Sequence, residues 1–83
     1  MRRSRQEIIS QILEICTNGA NKTQIVYQAN LNFRTVNPYL DLLIKNNLIK
    51  VGEGRAIRYE TTPKGIRLLE DIKRIQGELL DPI

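Results

Sequence analysis

The stretch KTQIVYQANLNFRTVNPYLDLLIKNNLI, residues 22–49, sets the limits on what this chain can become. Its apolar residues recur at helical spacing on both sides of a polar joint, Asn30–Leu31–Asn32, so two helical segments meet at a tight turn. The first starts near Asn21, which can cap it while Gln24 reaches back. Ile25, Val26 and Ala29 supply its inward face, with Tyr27 partly exposed beside them. In the second segment, successive residues about 100° apart gather Val36, Leu40, Leu43, Ile44 and Asn47 on one side, with Tyr39 on the flank. Arg34, Asn37, Pro38, Asp41 and Lys45 gather on the other.

Pro38 bears on where that second helix starts. A helix beginning at Asn32 sets the proline ring against the Arg34 carbonyl in its second turn, at a cost of about 3 kcal/mol. With Thr35 as the cap, Pro38 falls in the first turn, where a missing N–H is harmless. Asn37, the residue before proline, resists helical angles in either case. The sequence therefore predicts regular helix from about Thr35, after a kink or short tight turn over Asn32–Asn37.

Upstream, Ile8, Ile9, Ile12, Leu13 and Cys16 step by helical intervals, predicting a helix from about Ser4 to Thr17 that stops at Asn18–Gly19. Downstream the period changes. Leu48–Ile49–Lys50–Val51 reads as a short strand, Gly52–Glu53–Gly54–Arg55 as a turn, and Ile57–Arg58–Tyr59–Glu60–Thr61 as a half-buried strand. Thr62–Pro63 then opens a last helix with a cap and a proline at the first helical position, running to about Leu80 before Asp81–Pro82. Ile66 and Leu69 can pack on the preceding residues. Leu68, Ile72, Ile75 and Leu79 have the spacing of a coiled-coil seam over about two heptads, which packing on the same subunit or on a second copy would satisfy.

The order helix, helix, helix, strand, strand, helix is the profile of a winged helix-turn-helix, a mainly α fold with a small β-hairpin. Residues 1–62 read as that domain and 63–83 as a C-terminal helix for dimerisation. Most such modules bind DNA, and the composition agrees: 83 residues carry a net charge of +4 and a pI near 9.6, in the range of nucleic-acid binders. One small domain buries only about 60–65% of its unfolded surface, which makes oligomerisation a plausible source of stability. With one cysteine and no histidine, the chain has neither an intrachain disulfide nor a zinc cluster to offer. Cys16 reads as a small buried hydrophobe. MRRSRQE lacks the apolar core of a signal peptide, and no apolar run approaches the roughly 20 residues of a membrane span. A cytoplasmic, nucleoid-associated protein is the expectation. No histidine, no phosphate-cradling glycine loop and no evident carboxylate pair argue against an enzyme, and no cofactor, metal or small-molecule ligand is implied.

Candidate DNA-binding residues follow from side-chain chemistry. Arg34, Thr35, Asn37, Asp41 and Lys45 lie on the reading segment: arginine pairs bidentately with guanine, asparagine with adenine, and aspartate accepts from cytosine. Such a charged face is often only solvated. Lys22 and Thr23 lie at a helix N-terminus, which suits either a phosphate or a surface cap. Arg55 at the hairpin tip and Arg58 on its outward face suit a phosphate backbone, partly offset by Glu53 and Glu60. Arg2, Arg3 and Arg5 form either a solvated start or a phosphate-contacting arm.

Taken in order, several segments resemble the small archaeal winged-helix DNA-binding proteins, including the Sulfolobus ten-kilodalton "a" type. They are Asn21–Lys22–Thr23–Gln24–Ile25–Val26–Tyr27, Ala29–Asn30–Leu31–Asn32–Phe33, the pairs Tyr39–Leu40 and Leu43–Ile44, the hairpin, and Thr62–Pro63–Lys64–Gly65–Ile66–Arg67–Leu68–Leu69–Glu70. The resemblance covers nearly the whole chain. It implies duplex DNA as partner and a homodimer joined by antiparallel pairing of the last helices, in a regulatory or chromatin-associated role. The last helix here is shorter than the long rods of some members. A winged helix that binds protein within a transcription or chromatin assembly is the alternative, favoured by Asp41 on the reading face and Glu53 beside Arg55.

Overall fold

The computed structural model describes residues 3–80, with side chains through Gly77. Helix α1 (Arg5–Ile15) is followed by a 3₁₀ turn (Cys16–Asn18), α2 (Lys22–Ala29), α3 (Phe33–Lys45), strands β1 (Ile49–Gly52) and β2 (Arg58–Thr61), and α4 (Pro63–Leu80). This is the expected winged helix-turn-helix order.

Local chemistry accounts for most boundaries. Ser4 and Glu7 form a capping box on α1, and Asn21 and Gln24 form the expected one on α2. Both helices of the central pair end in the same way. Asn30 and Asn47 adopt left-handed φ values of 54° and 59°. The next N–H in each case reaches back to the final turn, Leu31 to the Val26 carbonyl and Leu48 to the Leu43 carbonyl. These are Schellman closures, with asparagine in the position usually held by glycine. The Thr62 hydroxyl accepts from the Gly65 N–H at 3.0 Å, the cap expected for α4.

The start of α3 differs from expectation. Asn32 is the N-cap, its side chain accepting from the Thr35 N–H at 2.7 Å, and regular helix begins at Phe33 with Pro38 inside it. Thr35 is thus the third residue of the helix, not its cap. Magnitudes explain the outcome. A proline inside a helix costs about 3 kcal/mol, whereas burying each of Val36, Leu40 and Leu43 returns about 1.5–3 kcal/mol and the cap about 1 more. Arg34 and Pro38 are both exposed, so water can reach the carbonyl that Pro38 cannot serve.

The core gathers Ile12, Leu13 and Cys16 from α1 and its end, Ile25 from α2, and Val36, Leu40 and Leu43 from α3. Leu48, Ile49 and Leu69 close it. Burial pushes the Cys16 thiol up to about 12, which leaves it a packed, protonated side chain at neutral pH. The hairpin pairs Ile49 with Thr61 and Val51 with Tyr59 in antiparallel register. Ala20 adds a bridge on the other side of β2, exchanging backbone hydrogen bonds with Tyr59 at 2.8 and 3.0 Å. The Thr61 hydroxyl donates to the Leu13 carbonyl at 2.6 Å, fastening the hairpin to α1.

Helix α4 meets the hairpin base at Gly65. A Cβ there would lie 2.2 Å from the Leu48 carbonyl oxygen and 2.6 Å from the Thr61 methyl carbon, whereas one at Gly77 would meet nothing within 4 Å. The same substitution in one helix should therefore act in opposite directions. Gly65→Ala is expected to cost about 2–3 kcal/mol by overpacking. Gly77→Ala should add up to about 1 kcal/mol by lowering the entropy of the unfolded chain. Urea denaturation of the two variants measures both signs; equal shifts would contradict the close approach.

Candidate nucleic-acid interface

The buried stripe of α3 turns its other side outward. Arg34, Asn37, Pro38, Asp41 and Lys45 are all exposed, as the helical spacing predicted. Thr35 is half-buried, and its N–H is taken up by the Asn32 cap. At the start of α2, Thr23 is exposed and Lys22 half-buried. The capping box satisfies the Gln24 N–H at 2.8 Å, while the Lys22 and Thr23 N–H groups precede any helical acceptor. Arg55 stands exposed between β1 and β2, next to Gly54, whose φ of 142° is open only to glycine without strain.

Two of the candidate DNA-binding arginines are engaged within the fold. Arg3 donates to the Ala29 carbonyl, to the Asn30 carbonyl at 3.0 Å and to Gln11 Oε1 at 2.6 Å. It thereby joins the end of α2 to α1 and supplies positive charge where the helix dipole is negative. Arg58 donates to the Gly19 carbonyl at 3.0 Å and the Asn18 carbonyl at 3.4 Å, holding the hairpin to the α1–α2 connection. On the same outward face of the hairpin, Lys50 lies 3.8 Å from Glu60. Among the described residues, Arg34, Lys45 and Arg55 form no ion pair. Neither brace has a local signal in the sequence, because the carbonyl partners lie 26 to 40 residues away. Arg2 lies outside the described residues.

Arg5, read from sequence as part of the basic opening, is the first residue of α1. It lines an open cleft of about 310 Å³ with Pro38, Tyr39 and Leu42, so α1 contributes a cation beside the outward face of α3. Of the seam residues, Ile72 is buried within the protomer, Leu68 packs beside the core, and Ile75 is exposed. The Leu79 side chain lies outside the described residues. No helix among the described residues is long and apolar enough to cross a membrane.

A helix pair joined by a three-residue turn, an outward polar helix and a hairpin wing define a winged helix-turn-helix protein. The chain belongs to the winged helix-turn-helix family, whose model matches residues 2–79. It is similar to the uncharacterized protein MJ0287 of Methanocaldococcus jannaschii, 38% identical over 72 residues that cover 86% of this chain and 71% of that one. A second protein of that organism, uncharacterized protein MJ0290, is 37% identical over 90% of this chain but only 35% of its own length. Among solved structures, Sso10a-2, a DNA-binding protein from Sulfolobus solfataricus, superposes with a TM-score of 0.79 at 29% identity, covering 94% of this chain and 86% of that chain. BpsR of Bordetella bronchiseptica shares the fold, with a TM-score of 0.75 at 15% identity over 95% of this chain and 58% of its own.

The Arg3 brace is open to test. Arg3→Ala should lower stability by about 1–2 kcal/mol, since charge-assisted hydrogen bonds to the α2 carbonyls are lost. Arg5→Ala should stay within about 0.5 kcal/mol, as for an ordinary surface substitution. Equal thermal midpoints for Arg3→Ala and wild type would show that the brace adds nothing.

Proposed function

We propose that this protein is a transcriptional regulator that binds duplex DNA as a homodimer. Helix α3 enters the major groove, and the wing lies on the backbone. The observation that carries this reading is the outward face of α3, where Arg34, Asn37 and Lys45 are exposed on a helix whose opposite side is core. Asparagine and arginine are the side chains best suited to bidentate contacts with base edges. Arg55 on the wing and Thr23 with Lys22 at the start of α2 would hold the flanking phosphates. Similarity to Sso10a-2, a DNA-binding protein, supports the same choice. A nucleoid-associated location follows from this reading.

The wing's contribution is more modest than a count of its arginines implies. Arg58 is occupied by the Asn18 and Gly19 carbonyls, and Lys50 is paired with Glu60. Affinity should therefore depend on Arg34, Lys45 and Arg55. Fluorescence titration of duplex DNA at several salt concentrations tests this, each phosphate contact contributing about 0.9 to the slope of log affinity against log salt. Arg55→Ala should weaken binding and lower that slope by about one contact, whereas Arg34→Ala should weaken binding and relax base preference. No binding at low salt, or binding without salt dependence, would refute the assignment. The second reading, a winged helix that binds protein, draws on Asp41 in the middle of the reading face. It gains if both variants leave DNA binding unchanged and a protein partner is lost instead.

For the dimer, α4 supplies the surface. Leu69 and Ile72 face the protomer's own core side, and Lys73 pairs with Glu14 at 3.0 Å. Farther along, Ile75 is 44% exposed on a helix with little of the protomer left to cover it. A second α4 running antiparallel would cover Leu68 and Ile75 together, with Leu79 next in the seam. Sedimentation equilibrium should give twice the chain mass at micromolar concentration. Ile75→Asp should give a monomer, whereas Glu70→Ala should not. A monomeric wild type would remove the dimer and leave the DNA-binding reading standing.

A further inference from the structure

The outward face of α3 carries an apolar strip among its charges. Pro38 and Leu42, one helical turn apart, are both exposed, Leu42 to 38% of its surface. They border the open cleft of about 310 Å³, with half-buried Tyr39 behind and Arg5 of α1 forming another part of its wall. Arg34 lies one turn before Pro38 and Lys45 one turn after Leu42. Asp41, also exposed, is the one carboxylate on this part of the helix. The 38% of Leu42 left exposed is apolar area that a partner covering this face would bury.

The charge pattern narrows the occupant. The strip is apolar at its centre and cationic at both ends and along the Arg5 side. A second copy docking face to face would set Arg5, Arg34 and Lys45 against their counterparts, with only Asp41 to offset them. The major groove has the complementary layout: phosphates line its walls, and thymine alone among the bases presents a methyl group to the groove. We propose that Pro38 and Leu42 read thymine through its 5-methyl group, while Arg5, Arg34 and Lys45 hold the neighbouring phosphates or base edges. This inference rests on the DNA-binding reading above and adds a preference for one base.

The test compares a mixed-sequence duplex rich in A·T pairs with the same duplex in which uracil replaces every thymine, removing only the methyl groups. Burial of one methyl is worth about a fourfold change in affinity. By fluorescence anisotropy, wild type should bind the thymine duplex about threefold to tenfold more tightly. Leu42→Ala should bind both duplexes alike, and Leu42→Met, which keeps an apolar contact, should retain the preference. Lys45→Ala should weaken both duplexes by the same factor and leave their ratio intact. Circular dichroism of each variant establishes that the fold is kept. Equal binding of the two duplexes by wild type overturns the proposal. So does a thymine preference that survives unchanged in both Leu42→Ala and Pro38→Ala, since it would then come from the DNA's own shape. Failure of wild type to bind either duplex overturns the DNA-binding reading, and this one with it.

Discussion

The arrangement depends on one residue's backbone, that of Leu48. Its N–H closes α3 by donating to the Leu43 carbonyl at 2.8 Å, and its carbonyl accepts from the Thr62 N–H at 3.0 Å. Its side chain is in the core, and Gly65 of α4 comes so close that no side-chain atom fits between them. Helix end, hairpin base and the start of α4 therefore share a few ångströms of chain. Two further contacts reinforce the junction. The Thr62 hydroxyl donates to the Asn47 carbonyl at 2.6 Å, and Lys64 Nζ donates to the Asn46 carbonyl at 3.1 Å. Carbonyls left over at the end of α3 are thus satisfied by the helix that follows the wing. The direction of α3, and with it the aim of its outward face, is set where the element ends rather than where it begins.

The other end of α3 is held more lightly, by Asn32 and by the turn at Asn30. Arg3 adds a long-range tie there, from the start of the chain to the last carbonyls of α2. Arg58 performs the corresponding task for the wing, fixing it to the connection between α1 and α2. The site therefore divides its cations into two groups. Arg3 and Arg58 keep the elements in place, whereas Arg34, Lys45 and Arg55 form no ion pair among the described residues. The net charge of +4 is not reduced by these bonds, because the carbonyls are neutral, but the N–H donors of Arg3 and Arg58 are engaged within the fold.

Much of this was legible from residue order. Helical periodicity separated Val36, Leu40 and Leu43 from Arg34, Asp41 and Lys45, since those positions differ by about half a turn on a helical projection. Asn21–Gln24 and Thr62–Pro63 marked helix starts through chemistry confined to three or four residues. Pro38 misled because its local penalty was weighed without the burial that opposes it. The apolar stripe of α3 is a tertiary term, and with the Asn32 cap it outweighed the proline's cost of about 3 kcal/mol. Arg3 and Arg58 could not be assigned from sequence, where a brace and a phosphate contact look alike. Leu42 was assigned to neither side of α3 from its spacing, and its exposure in the fold places it beside Pro38 on the outward face.

The endpoints of the two arginine braces have a consequence for working conditions. Arg3 and Arg58 reach backbone carbonyls, which have no proton to gain or lose, and the chain contains no histidine. The frame that aims α3 and the wing is therefore not tied to the ionisation of a carboxylate partner. Added electrolyte competes for Arg34, Lys45 and Arg55 at the surface far more than for short hydrogen bonds between neighbouring segments. Ionic strength thus weakens the attraction of these exposed cations for any polyanion while the braced frame stays the same, so charge and geometry respond to salt independently.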